Sequence, residues 1–85
     1  MMKVYVLIFM EDGERKIKVF NKKETAVNNI KRKIHDNYNW PISDENKKDY
    51  VSEMKSLNEN IANKNEWKDK NGNTYSIEEG EFINK

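Results

Sequence analysis

The sequence predicts a small α+β domain in which two β-hairpins flank two helices, in the order β-β-α-α-β-β. Two runs rich in β-branched and aromatic residues surround an Asp-Gly pair, two stretches carry apolar residues at helical spacing, and two aromatic residues enclose a second glycine turn. We expect a two-layer fold, with one mostly antiparallel sheet and both helices on one face. Residues 1–85 should form a single small domain.

The first hairpin is predicted from the segments Lys3–Met10 and Arg15–Phe20, which Asp12 and Gly13 separate. Asp-Gly is a preferred two-residue hairpin loop, and with this loop Ile8 faces Ile17. A three-residue loop would slip the register by one residue and exchange the faces of the second strand. We favour the two-residue loop. The first strand is apolar on both faces, which predicts a central position in the sheet.

Strand alternation gives this hairpin two different apolar faces. The aliphatic face comprises Val4, Val6, Ile8, Met10, Ile17 and Val19. The aromatic face comprises Tyr5, Leu7, Phe9 and Phe20, and is edged by Lys16 and Lys18. If the helices cover the aliphatic face, the aromatic face and its two lysines are left as the surface for a partner. The alternative is that the chain itself covers the aromatic face, which would move the partner surface to the helices.

The first helix is expected to begin at Asn21, a candidate N-cap, with Glu24 three residues later as in a capping box. It should end before Asn39, because Pro41 excludes helical geometry from the residue that precedes it. The apolar residues at helical spacing are Ala26, Val27, Ile30, Ile34 and Tyr38.

Ser43 is the candidate N-cap of the second helix, with acidic Asp44 and Glu45 in the first turn. This helix should end near Asn63. Its apolar stripe is predicted to be Tyr50, Met54, Leu57 and Ile61, with Val51 beside it.

A second hairpin is predicted at the end of the sequence. A three-residue loop from Lys70 to Gly72 pairs Trp67 with Tyr75, whereas a two-residue loop would put the two rings on opposite faces. We favour the three-residue loop, because an aromatic cross-strand pair stabilises a hairpin. The run 78–81 should break the strand, and Phe82-Ile83 would add a last short strand or turn.

Composition excludes several classes of chemistry. There is no cysteine and only one histidine, His35, so neither a Cys-based nor a His-pair zinc site is expected. The acidic turn Asp69-x-Asn71-x-Asn73 partly matches a calcium loop, but it lacks the glycine at position six and the glutamate at position twelve. Each serine and threonine has a simpler interpretation as a cap, turn or surface residue. We therefore expect no metal, no cofactor and no enzymatic activity.

The longest apolar run, Val4–Met10, is too short to span a membrane and lacks the features of a secretory signal. We expect a cytoplasmic protein without membrane association. The total charge is nearly balanced, with 16 Lys and Arg against 15 Asp and Glu.

A basic patch is the main argument for nucleic-acid binding. The candidate residues beyond strand two are Lys22, Lys23, Lys31, Arg32 and Lys33. Such patches bind phosphate backbones in a salt-dependent way. However, the chain has only two arginines, the residues that make bidentate contacts with bases and phosphates, and no recognisable nucleic-acid-binding motif. We therefore treat nucleic-acid binding as the alternative function.

The segment Lys3–Ala26, with the motif F-x-x-K-E-x-A, and the closing Trp67–Glu78 resemble small accessory proteins of phages and mobile elements in AT-rich bacteria. The resemblance covers about half of the chain. It implies a non-enzymatic protein that binds and inhibits a host protein inside the host cell, such as a CRISPR or other defence nuclease. The net charge of +1 departs from the strongly acidic DNA mimics among such inhibitors. A homodimeric structural protein is a further alternative.

Overall fold

The computed structural model describes residues 2–82 and has the predicted order of elements. These are β1 (Met2–Glu11), β2 (Glu14–Phe20), α1 (Lys23–Asp36), α2 (Asp44–Lys64), β3 (Glu66–Lys68) and β4 (Thr74–Phe82). The strands form one antiparallel sheet in the order β2-β1-β4-β3, so β1 is internal as predicted. The α+β prediction is confirmed.

Both predicted hairpin registers are also confirmed. Asp12 and Gly13 form the two-residue loop, with positive φ angles of 53° and 77°, and Ile8 faces Ile17. Positive φ at both loop residues gives the turn whose twist matches the flanking strands. In the second hairpin Trp67 pairs with Tyr75, and their ring centroids lie 5.6 Å apart.

The helix boundaries follow the prediction in part. The Ser43 hydroxyl caps α2 and accepts a hydrogen bond from the Asn46 amide at 3.3 Å, as expected. The prediction that Asn21 caps the first helix is wrong, because α1 begins at Lys23 and Lys22 takes the cap position without a side-chain hydrogen bond.

The expected break at residues 78–81 is also wrong, because β4 runs through it. The ten residues of β1 offer pairing partners along this whole segment: Val6 pairs with Glu78, and Val4 pairs with Gly80. Strand pairing along β1 therefore overrides the poor strand propensity of the acidic run. The Phe82-Ile83 prediction is met in part, since β4 extends to Phe82, while Ile83 lies outside the described residues.

The helices cover the aromatic face of the sheet, which is the second of the two arrangements left open by the sequence, and not the aliphatic face. The register between β1 and β4 places Leu7 beside Ile77 and Phe9 beside Tyr75. The large apolar residues of both strands therefore share one face and bury more area under the helices than the aliphatic face could. The buried core is Leu7, Phe9, Ala26, Ile30, Ile34, Tyr38, Leu57, Ile61, Trp67, Tyr75 and Ile77.

Truncation of one residue on each face should show which face is covered in solution. We expect Leu7→Ala to lower the free energy of unfolding by about 2–5 kcal/mol, because Leu7 is fully buried and its loss leaves a cavity. Val19→Ala, on the aliphatic face, should cost less than about 1 kcal/mol. Urea unfolding followed by circular dichroism measures both. Equal losses would contradict the assignment of the faces.

Candidate partner-binding surface

The aromatic face, which the sequence suggested as the partner surface, is not available to a partner. Leu7 is 0% exposed and Phe9 is 1% exposed. Tyr5 and Phe20 are partly buried and pack against the same core. The helices lie over these side chains, because they are the largest apolar residues that β1 and β2 offer. The prediction that this face binds a partner is therefore wrong. The residues of the aromatic face instead hold the sheet and the helices together.

Lys16 and Lys18 lie on the helix side of β2, which is an outer strand of the sheet. The Lys16 ammonium lies 3.2 Å from the Glu11 carboxylate, and the Lys18 ammonium lies 5.8 Å from the Phe9 ring centroid. A strand added to this edge would have to accommodate both charges on its inner side. Charged residues at such positions protect outer strands from edge-to-edge pairing. These two lysines therefore make the edge of β2 a poor site for strand addition.

The aliphatic face is the uncovered apolar surface of the sheet. Ile17 and Val19 of β2 are 57% and 62% exposed, and Met2, which extends this face at the start of β1, is 53% exposed. The other β1 members are partly exposed: Val4, Val6, Ile8 and Met10. Cross-strand pairs join the two strands, since Val6 faces Val19 and Ile8 faces Ile17. The result is one continuous apolar surface and not a set of scattered residues.

The dimensions of the aliphatic face follow from strand geometry. From Met2 to Met10 it is about 27 Å long, and two neighbouring strands with their side chains make it about 10 Å wide. Its footprint of roughly 270 Å² is just below the roughly 300–600 Å² of the largest apolar patch on a typical monomer, which is often functional. The aliphatic face is therefore the strongest candidate for a binding surface in the described part of the chain.

Charged residues surround the aliphatic face on the β4 and β3 side. Glu78 lies beside Val6, and Glu66 lies one strand further out, beside Ser76. At the far end, Arg15 faces Met10 across the hairpin, and Lys68 lies beside Thr74. A shallow concavity of about 530 Å³ opens at this end, and its lining includes Ile8, Met10, Arg15, Glu66 and Lys68. The apolar surface thus has an acidic flank and a basic end.

An ion pair fixes α1 to the tip of the first hairpin. The Lys33 ammonium lies 2.6 Å from the Glu11 carboxylate and 4.4 Å from the Phe9 ring centroid. Hydrogen bonds from Lys33 and Lys16 hold the pKa of Glu11 below its ordinary value. Because the folded state favours the charged form of Glu11, the Glu11 carboxylate stabilises the fold at pH values above the unfolded-state pKa of about 4.3. This contribution is lost as the pH falls through the lower, folded-state pKa.

Glu11→Gln should therefore lower the melting temperature at pH 7, and its difference from wild type should shrink as the pH falls through the lowered pKa of Glu11, because the wild-type carboxyl group then becomes protonated as well. Thermal unfolding of both proteins at pH 7, 5 and 3 measures the difference. Glu14→Gln is the matched control, because Glu14 faces Glu11 across the turn but takes no part in these ion pairs. A difference between Glu11→Gln and wild type that persists unchanged at pH 3 would contradict this role of the carboxylate.

The structure divides the basic residues proposed for nucleic-acid binding. Lys33 contacts Glu11, and the Lys23 ammonium donates a hydrogen bond to the Asn65 side chain at 2.7 Å. Lys22 and Arg32 are exposed, and Lys31 is partly exposed. Two of the five candidates therefore make contacts within the chain that tie α1 to other elements. The basic surface left for phosphate groups is smaller than the sequence suggested.

The acidic turn has a structural role. Asp69 is 6% exposed, and its carboxylate accepts hydrogen bonds from the backbone amides of Asn71 and Asn73, both at 2.9 Å. The Tyr75 hydroxyl lies 3.5 Å from the same carboxylate. Burial, followed by the charge of Asp69, raises the pKa of Tyr75 to about 12, so the phenol is neutral at physiological pH. Asp69 thus closes the second hairpin. In residues 2–82 no group of three acidic or histidine side chains is arranged to hold a metal ion.

The single histidine packs against a loop side chain. His35 stacks on Trp40 with ring centroids 4.1 Å apart, and the Trp40 indole donates a hydrogen bond to the His35 carbonyl at 2.8 Å. Trp40 also meets the edge of Tyr50, at 5.4 Å between centroids. Among the hydroxyl residues, Ser56 accepts a hydrogen bond from the Trp67 indole at 3.1 Å. These contacts account for His35 and Ser56 as packing residues.

Neither helix in the described part of the chain is long and apolar enough to cross a membrane. Comparisons with protein-family models, with curated proteins and with solved structures find no match to this chain.

Sequence reasoning missed Ile17 and Val19 as surface residues. Their alternation with lysines made them look like the buried side of β2. The signal that could have found them lies in β4, where Tyr75 and Ile77 alternate with Ser76 and Glu78. Whichever face of β1 shares a side with Tyr75 and Ile77 must be the buried one, so the opposite face of the hairpin must be open.

Proposed function

We propose that this protein is a non-enzymatic inhibitor from a phage or mobile element, and that it acts by binding a host protein, such as a nuclease of a CRISPR or other defence system. The observation that supports binding is the uncovered aliphatic face. Ile17 and Val19 are each more than half exposed on the open face of the sheet. The phage origin is supported by the resemblance of the hairpins and the first helix to small accessory proteins.

A binding role explains the apolar residues on the exposed face of the sheet. An exposed aliphatic face is an aggregation liability, and exposed faces of antiparallel sheets are usually polar. The chain protects the neighbouring edge of β2 with Lys16 and Lys18 but leaves Ile17 and Val19 apolar on the open face. This pattern is expected if the edge must stay free while the face binds a partner.

Plating efficiency tests the proposal. Phages are plated on bacteria that carry defence nucleases of several types, with and without expression of this protein. We expect protection of the phage against at least one system. Ile17→Glu should abolish that protection, since a charge at the centre of an interface costs about 2 kcal/mol or more, or roughly 30-fold in affinity. Val51→Glu is the matched control, because Val51 is 56% exposed but lies on α2.

Both variants should fold like the wild type, because the substituted positions are solvent-exposed, and circular dichroism checks this. Protection that survives Ile17→Glu would contradict a role for the aliphatic face. Failure to protect against every system tested would contradict inhibition of those nucleases.

The alternative function is nucleic-acid binding by the basic face of α1. Fluorescence anisotropy with labelled DNA and RNA at 50 mM salt tests this alternative directly. We expect either no binding or binding that is unchanged in the variants Lys31→Glu and Arg32→Glu. These two positions are chosen because Lys33→Glu would also break the ion pair with Glu11. Binding that falls steeply on going to about 200 mM salt and that needs Lys31 and Arg32 would favour this alternative.

A further inference from the structure

We infer that the aliphatic face binds an amphipathic helix of the partner protein, with basic residues along one side of the apolar stripe of that helix. This inference rests on the proposed function and specifies the kind of partner. Three observations support it: the shape of the aliphatic face, the charges around it, and the protected edge of β2.

The shape of the aliphatic face fits one helix. It is long and narrow, about 27 Å by about 10 Å. A helix of about 18 residues has that length, and its diameter with side chains is about 10 Å. Two helices already pack on the opposite face of this sheet. A third helix over β1 and β2 would complete a three-layer arrangement of the kind that apolar sheets adopt when both faces are covered.

The charges around the aliphatic face predict which side of the partner helix carries basic residues. The ion pairs of the described residues use the carboxylates of Glu11, Asp36 and Glu79. Glu66 and Glu78 therefore have no cationic partner among these residues, and they lie on the same flank of the aliphatic face. Lysine or arginine residues on that side of a bound helix would compensate both charges.

The basic end of the surface sets the direction of the partner helix. Arg15 and Lys68 also lack an acidic partner among the described residues, and both lie at the Met10 end. The negative end of a helix dipole, its C-terminus, is stabilised beside cations. A bound helix would therefore run parallel to β1, with its C-terminus near Arg15 and Lys68.

Other occupants fit less well. An added strand would meet Lys16 and Lys18 at the edge of β2. A second copy of this chain, packed face to face about a two-fold axis, would bring like charges together. With the axis along the strands the two Arg15 side chains approach each other, and with the axis across the strands at Val6, the midpoint of the face, the two Glu78 side chains approach each other. The helix is the occupant that these charges favour.

Selection from a displayed library of random 20-residue peptides tests this inference with the whole chain as bait. We expect enriched peptides to carry apolar residues at i, i+3 or i+4, and i+7, with lysine or arginine on one side of that stripe. The double variant Glu66→Lys, Glu78→Lys should select acidic residues on that side instead. Val51→Glu, as bait, should select the same peptides as the wild type.

Synthetic forms of the enriched peptides then give affinities. We expect them to become helical on binding, to lose about 30-fold or more in affinity for Ile17→Glu, and to lose about fivefold for the double charge variant. The inference is overturned if apolar and polar residues alternate with period two in the enriched peptides, or if no peptides are enriched above background. It is also overturned if the double charge variant selects the same flanking charges as the wild type. Sedimentation that shows an Ile17-dependent dimer would also overturn it and assign the aliphatic face to a second copy.

The two proposals fail in different ways. If protection of phages depends on Ile17 but no helical peptides are enriched, the surface binds a partner of another shape, and only the present inference is wrong. If helical peptides are enriched but phages are never protected, the surface binds helices, and the inhibitory function is wrong.

Discussion

The pairing of β1 with β4 is the constraint on which the rest of the structure depends. It sets Phe9 beside Tyr75 and Leu7 beside Ile77, and so decides which face of the sheet is apolar across all its strands. The helices pack on that face because it offers the larger aromatic and branched side chains. A shift of this register by one residue would bring Ser76 and Glu78 under the helices and would expose Tyr75 and Ile77.

The open aliphatic face is a direct result of the same pairing. The central strand is apolar on both sides, but residues 2–82 form only two helices, and both lie on the other face of the sheet. The hairpin tip is then secured by Lys33 and Glu11, and the second turn by Asp69. These polar contacts fix the hairpin tip and the second turn while Ile17 and Val19 remain in solvent, so the sheet presents a preformed surface to a partner.

The features that the sequence predicts well are local ones. Asp12-Gly13 specifies its own turn, Ser43 caps the helix that follows it, and Trp67 and Tyr75 are close enough in the chain for their pairing to follow from the loop between them. The choice of the covered face depends instead on a pairing between residues 66 positions apart, such as Phe9 and Tyr75. The periodicity of β1 alone cannot decide that choice, because the strand is apolar on both sides. The sequence therefore groups both sets of residues correctly but places the candidate surface on the wrong face.

The distance in sequence between β1 and β4 also bears on how the chain matures in the cell. The first hairpin can form as soon as it leaves the ribosome, but both of its faces stay uncovered until α1, α2 and β4 have been synthesised. Native pairing of this kind closes a long loop and slows folding relative to local contacts. During that interval the nascent hairpin exposes the aromatic face as well as the aliphatic one and is a natural client for chaperones.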